Sequence, residues 1–123
     1  MTPLLPGRAE GRVLKLPRLS LWGGVDPATG RLTDPTLPHV GESVGGRVLM
    51  IAEPVGSSSS SAILLELLHA GNAPAAIVLG RADAIVGLGI LVAREMGWPT
   101  IPLAIIPPRD QARITDGAVL AVR

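Results

Sequence analysis

The chain has 123 residues, a length expected for one domain spanning 1–123. With 47% hydrophobic residues, 17% charged residues and a formal net charge of +1, it falls outside the disordered class, and its charge gives no argument for nucleic acid or an anionic membrane. There is no cysteine, which excludes a disulfide scaffold and any thiolate-held metal or iron–sulfur cluster on this chain alone.

Phe and Tyr are also absent, leaving Trp22 and Trp98. Base-stacking platforms for single-stranded nucleic acid are therefore not expected, and the core must come from Val, Ile, Leu and Ala. In chain order, Arg8 to Leu16 reads as a strand interrupted by Gly11, a candidate bulge. Leu19 to Trp22 is short and mostly apolar. Gly23 to Gly30 is dense turn chemistry; Trp22 to Pro27, two glycines beside an aromatic and a carboxylate, fits either close approach of a ligand or partner backbone or a tight turn in which Asp26 caps its own backbone, and Asp34 to Pro38 is a second loop. Glu42 and Ser43 read as loop caps. Arg47 to Ile51 is a buried strand.

The period then changes. Ser61 to Ala70 predicts a helix, with Ile63, Leu64, Leu67 and Leu68 on one stripe and Gly71 and Asn72 ending it. His69 lies near its C-terminus, where a cation is favourable. Ala75 to Leu79 is a short strand. Asp83 caps a second helix running to about Met96. This helix is apolar almost all round from Ala84 to Ala93, and burial on more than one side is expected. Thr100 to Ile106 is a strand, Arg109 to Arg113 a helical turn with Asp110 and Arg113 as a solvated pair, and Ala118 to Val122 a last strand. The order predicts an α/β fold: βαβ units with a largely parallel sheet, and a turn-rich β portion packed on them.

No stretch reaches the roughly 20 apolar residues of a spanning helix, and the N-terminus does not read as a secretory signal, so a cytoplasmic protein is expected.

The most informative segment is Gly56 followed by Ser57, Ser58, Ser59, Ser60 and Ser61, between a strand and an apolar helix. A helix N-terminus offers unpaired N–H groups and the positive end of its dipole. Small residues let an anion approach, which points to a carboxylate or phosphate site. An ordinary N-cap with a serine linker fits the same residues, and the residues alone leave both readings open. The run lacks the lysine of a Walker A loop, and Ser60 stands where a nucleophile elbow needs its last glycine. His39 and His69 are the only histidines. His69 is about two turns from the serines, so no Ser–His pair is expected there.

Taken together, Gly7-Arg8-Ala9-Glu10-Gly11, Leu21-Trp22-Gly23-Gly24-Val25-Asp26-Pro27-Ala28-Thr29-Gly30, Gly41-Glu42-Ser43-Val44-Gly45-Gly46-Arg47-Val48-Leu49 and the run from Gly56 to Ser61 resemble the small subunit, or swivel domain, of the aconitase X family. Ala73 to Val78 is similar to that family too. The resemblance implies a swivelling β/β/α domain and a hydro-lyase. The reactions it implies are dehydration of cis-3-hydroxy-L-proline or of phosphomevalonate, with the serine run closer to the first type. It implies a partner large subunit that carries iron or an iron–sulfur cluster, with no cofactor or metal bound by this chain. It also implies that Ser57 is the proton-abstracting base, with Gly56, Ser58 and Ser59 at the carboxylate substrate. A His-Pro pair usual in the family reads Leu37-Pro38-His39 here, so no role is carried over to His39. A non-catalytic, anion-binding swivel module is the alternative. A phosphohistidine carrier is disfavoured because no histidine lies between Gly56 and Ser61.

Overall fold

The structure is a computed structural model and describes residues 1–56 and 58–123. Among the described residues, six strands and four short or medium helices follow in the order β1 (Thr2–Leu5), β2 (Ala9–Leu19), α1 (Leu21–Gly24), β3 (Val48–Pro54), α2 (Ser60–Ala70), β4 (Ala76–Leu79), α3 (Ala84–Glu95), β5 (Leu103–Ile105), α4 (Pro108–Gln111) and β6 (Val119–Val122). The sheet order is β1-β5-β4-β3-β2-β6. The four inner strands are mutually parallel, and each edge strand is antiparallel to its neighbour. The expected mixed α/β architecture with a largely parallel sheet is what forms.

The inner strands are apolar at consecutive positions because both faces are covered. Leu14 and Leu16, Leu49 and Ile51, and Ile77 and Leu79 belong to one core, with Leu64 and Leu67 of α2 and Val86, Ile90 and Ala93 of α3. The alternate residues Val13, Val48, Met50, Ala76, Val78 and Ala104 form a second core, joined by Val122 and by partly buried Ile114 and Leu120. Each fully buried Leu or Ile contributes roughly 1.5–3 kcal/mol. The two βαβ crossovers place α2 and α3 on the same side. Both helices therefore start at the carboxyl end of the parallel strands.

Four details differ from the expectations. Gly11 is not a bulge, since the ladder from Ala9↔Val122 to Arg12↔Val119 is unbroken. A Cβ there would lie 2.7 Å from the Gly46 carbonyl oxygen, so the glycine marks a close backbone approach. The β2 strand runs on to Leu19, while the Thr100–Ile106 strand shortens to Leu103–Ile105. An unexpected edge strand, β1, pairs with β5. Finally, α3 is buried on one side only: Val86, Gly89, Ile90 and Ala93 face inward, while Leu88 is 53% exposed and Leu91 44%. The apolar pattern around α3 had pointed to burial on more than one side. The sheet and α2 cover one face, and no other described element lies over the opposite one. Among the described residues no helix is long and apolar enough to cross a membrane.

Candidate functional site

At the carboxyl end of the parallel strands, β3 leads through Val55 and Gly56 into the serine run. Ser57, the residue named from the sequence as the base, lies outside the described residues. Gly56, Ser58 and Ser59 are exposed at this end, and Ser59 stands at the N-cap position of α2. Gly56 has φ +133°. A Cβ there would lie 2.6 Å from Ser20 Oγ and 2.9 Å from Ser60 Oγ, so glycine is required for both conformation and space. The hydroxyls of Ser60 and Ser61 do not cap the helix. Ser61 Oγ donates to the Ser58 carbonyl at 2.9 Å. Ser60, the first helical residue, is 4% exposed and its Oγ has no hydrogen-bond partner. A cavity of about 10 Å³ is lined by Gly56, Ser60, Asp83, Leu21, Ile51 and Val86, among others.

The neighbouring helix start is finished differently. Asp83 accepts from the Ile85 and Val86 N–H groups at 2.9 and 3.2 Å, as expected for an N-cap carboxylate. The positive end of α3 is thus already answered by a carboxylate belonging to the chain. Beside the serine run, Arg81 donates to Glu53 at 2.8 Å and to the Pro54 carbonyl, tying the β4–α3 loop to the end of β3. Trp22 is 59% exposed at the same end, in a turn where Ser20 Oγ donates to the Trp22 carbonyl at 2.9 Å. Leu21 and Gly24 are buried on either side of it.

The remaining sequence candidates lie elsewhere. Asp26 forms the expected turn, accepting from the Ala28 N–H at 2.9 Å. Ser43 accepts from the Gly45 N–H, again a loop cap. His69 packs on Trp98 with ring centroids 4.5 Å apart, beside an apolar groove at the far end of α2. Among the described residues no ion pair joins Asp110 to Arg113.

His39 turns out to be more than a loop residue. It has φ +65°, and its two ring nitrogens lie 2.5 Å from Glu42 and 2.5 Å from Asp116. Arg47 lies 3.6 Å from Glu42, and Asp116 also accepts from the Lys15 N–H. Partial burial opposes protonation of His39, but the hydrogen bonds and charges of Glu42 and Asp116 outweigh it and raise its pKa. For Asp116, partial burial is likewise outweighed, here by the Lys15 N–H and by His39, and its pKa is lowered. This cluster sits at the amino end of β3, away from the serines. Asp116 is 77 residues from His39 in the chain, so no local spacing signalled the pair.

Among the described residues, no three His, Cys, Asp or Glu side chains converge as metal ligands would. With no cysteine in the chain, the donor set does not fit an iron–sulfur cluster.

The sequence pattern of the aconitase X swivel domain matches residues 1–123. A cis-3-hydroxy-L-proline dehydratase of Pseudomonas aeruginosa is 41% identical over 93% of this chain and 21% of its own length. A phosphomevalonate dehydratase small subunit of Methanopyrus kandleri is 41% identical over 76% of this chain and 64% of its own. The crystal structure of Thermococcus kodakaraensis aconitase X in its holo form superposes with a TM-score of 0.83 at 31% identity. That match covers 98% of this chain and 87% of the other. The chain thus spans about a fifth of the first relative and under two thirds of the second.

Proposed function

The chain belongs to the aconitase X swivel domain family, and from that premise we propose that it is the swivel half of a cytoplasmic hydro-lyase that dehydrates a small hydroxy acid together with a larger subunit. The observation that carries this reading is the serine run at the start of α2, at the carboxyl end of a sheet whose whole chain matches the family. Cis-3-hydroxy-L-proline is the proposed substrate. The dehydratase named for it resembles 93% of this chain, against 76% for the phosphomevalonate relative.

In this proposal the substrate carboxylate lies at the amino end of α2, where the helix dipole favours an anion, with Gly56 giving close access and Ser58 and Ser59 donating to it. Ser57 takes the proton α to the carboxylate. Neutral serine is a weak base, so its ionised form must be favoured by donors in a site shielded from water. The larger subunit supplies that shielding. Any iron or iron–sulfur group is assigned to that subunit, because this chain has no cysteine and its described residues bring no set of metal ligands together.

The test is reconstitution with a candidate large subunit and assay against cis-3-hydroxy-L-proline and phosphomevalonate. The chain alone is expected to be inert. In the complex, Ser57→Ala is expected to lower kcat by roughly 10²–10⁴-fold with KM little changed, the range for a positioned acid–base group. Ser58→Ala is expected chiefly to raise KM. Turnover by the isolated chain would refute the half-enzyme reading. A complex that binds carboxylates but turns nothing over would favour the anion-binding module.

A further inference from the structure

The segment from Trp22 to Pro27 combines an aromatic, two glycines and a carboxylate, and the chemistry proposed above uses none of them. Of the chain's two tryptophans, Trp98 packs on His69, while Trp22 is the most exposed large apolar side chain among the described residues. Its backbone is braced. Ser20 Oγ donates to the Trp22 carbonyl at 2.9 Å, Thr33 Oγ1 to the Gly23 carbonyl at 3.1 Å, and the Thr33 N–H to the Gly24 carbonyl at 3.0 Å. Leu21 and Gly24 are buried on either side, and Gly23 turns the chain at φ +80°. The turn thus holds the indole outward. Its place is equally defined. β2 and β3 are parallel neighbours with Leu19 paired to Pro54, so the turn after β2 and the loop after β3 leave the sheet side by side. Ser20 Oγ lies 2.6 Å from where a Cβ on Gly56 would be. Val55, just before Gly56, is also exposed at this end.

We propose that Trp22 is the anchor through which the larger subunit docks over the serine run. This rests on the functional reading above. Two observations point to that occupant. First, the match to this chain is about a fifth of the Pseudomonas aeruginosa dehydratase, and the Methanopyrus kandleri relative is named a small subunit, so in both the domain belongs to something larger. Second, a partner that excludes water from the serine loop must also come within reach of the turn whose Ser20 packs on Gly56. A rigidly held, exposed Trp suits that contact. The indole buries a large apolar area with few rotors to freeze, and Trp is among the residues that dominate binding energy at interfaces. The surface it fits is an apolar pocket on the larger subunit with an acceptor for the indole N–H.

The experiment titrates the parent, Trp22→Ala and Leu88→Ser chains with the larger subunit that restores turnover in the reconstitution above, and reads Kd by calorimetry. Trp22→Ala is expected to raise Kd by roughly 30-fold or more, the scale of a hot-spot aromatic. Alone, it should melt with the parent, since the side chain is exposed. With the larger subunit saturating, kcat and KM should stay within about twofold of the parent. Leu88→Ser removes an exposed leucine from the outer face of α3 and should leave Kd within about twofold. In chains labelled with 5-fluorotryptophan, the Trp22 resonance should move on complex formation, and that of Trp98, packed on His69 at the far end of α2, should not. An unchanged Kd for Trp22→Ala, or a loss carried by Leu88→Ser instead, overturns the anchor while the functional reading stands. An unchanged Kd with a raised KM assigns the indole to the substrate and also overturns it. A free chain that dimerises, with Trp22→Ala monomeric, overturns it in favour of a second copy. If no larger subunit restores turnover, the functional reading falls and this inference with it.

Discussion

The two ends of the parallel sheet are finished in opposite ways. At the amino end, charged groups are tied to one another: His39 to Glu42 and Asp116, Arg47 to Glu42 and to the Arg12 and Val13 carbonyls. At the carboxyl end Arg81 pairs with Glu53 and Asp83 caps α3, but the serine run beside them carries no charge. One of its hydroxyls is buried without a partner, and the loop enters it through a glycine at φ +133°. An end whose polar groups are already paired has little left to offer a ligand. An end with an unpaired donor and a backbone conformation only glycine tolerates has been shaped for something besides stability.

The largest effect that separates the ends is expected from glycine replacements. Gly56→Ala places a Cβ against Ser20 Oγ and Ser60 Oγ in a conformation that L-residues avoid, costing about 1–3 kcal/mol. Turnover in the complex should fall by more than roughly 10²-fold, since a displacement of about 1 Å can have that effect. Gly41→Ala is the control at the other end. Gly41 has φ +89° and nothing within 4 Å of its Cβ position. It should lose about 1–2 kcal/mol from the left-handed conformation, with kcat unchanged. Equal losses of turnover from both variants would erase the functional contrast.

How far the sequence disclosed this contrast depends on the range of each interaction. The start of α2 within the serine run (Ser61 from the sequence, Ser60 in the structure), its end at Gly71 and the Asp83 cap are set by neighbours in the chain, and all three were readable to within a residue. The serine run was readable as a polar loop opening a helix, with an anion site and an ordinary cap both left open, but not which hydroxyl would be buried. That follows from Ser20, forty residues earlier in the chain, packing on Gly56. The β1 strand left no alternating signal because it is a four-residue, largely exposed edge containing Pro3. For α3 the residues are apolar on every side, so no periodicity marked Leu88 and Leu91 as the outward face. The His39–Asp116 pair joins a loop to the turn before β6, and only the folded topology brings them together.

A smaller effect is expected from His39→Gln at the amino end. It removes the positive partner shared by Glu42 and Asp116, though Glu42 keeps Arg47 nearby and Asp116 keeps the Lys15 N–H. The groups are partly exposed, so the loss should be about 1 kcal/mol or less by urea denaturation, with turnover of the complex within twofold of the parent. A tenfold drop in kcat would show that this cluster serves the reaction, and the division between the ends would fail.

The finest distinction is pH. His39 has its pKa raised in the folded chain, so its contribution is fully present below its unfolded value of about 6.5 and is lost as pH rises through the folded value. Asp116 is lowered, so its contribution is present above its unfolded value of about 3.9 and is lost as pH falls through the folded value. The stability difference between parent and His39→Gln should therefore be greatest near pH 5–6 and shrink towards alkaline pH. It should shrink again in acid as Asp116 is protonated, and at all pH values in about 1 M salt. The difference between parent and Ser60→Ala should be flat over the same range, because a serine hydroxyl in the isolated chain does not titrate there. Thermal melts from pH 4 to 9 measure both. A flat His39 difference would mean that the imidazole is not held as a cation between the two carboxylates. A sloping Ser60 difference would mean that a titrating group reaches its hydroxyl in the isolated chain.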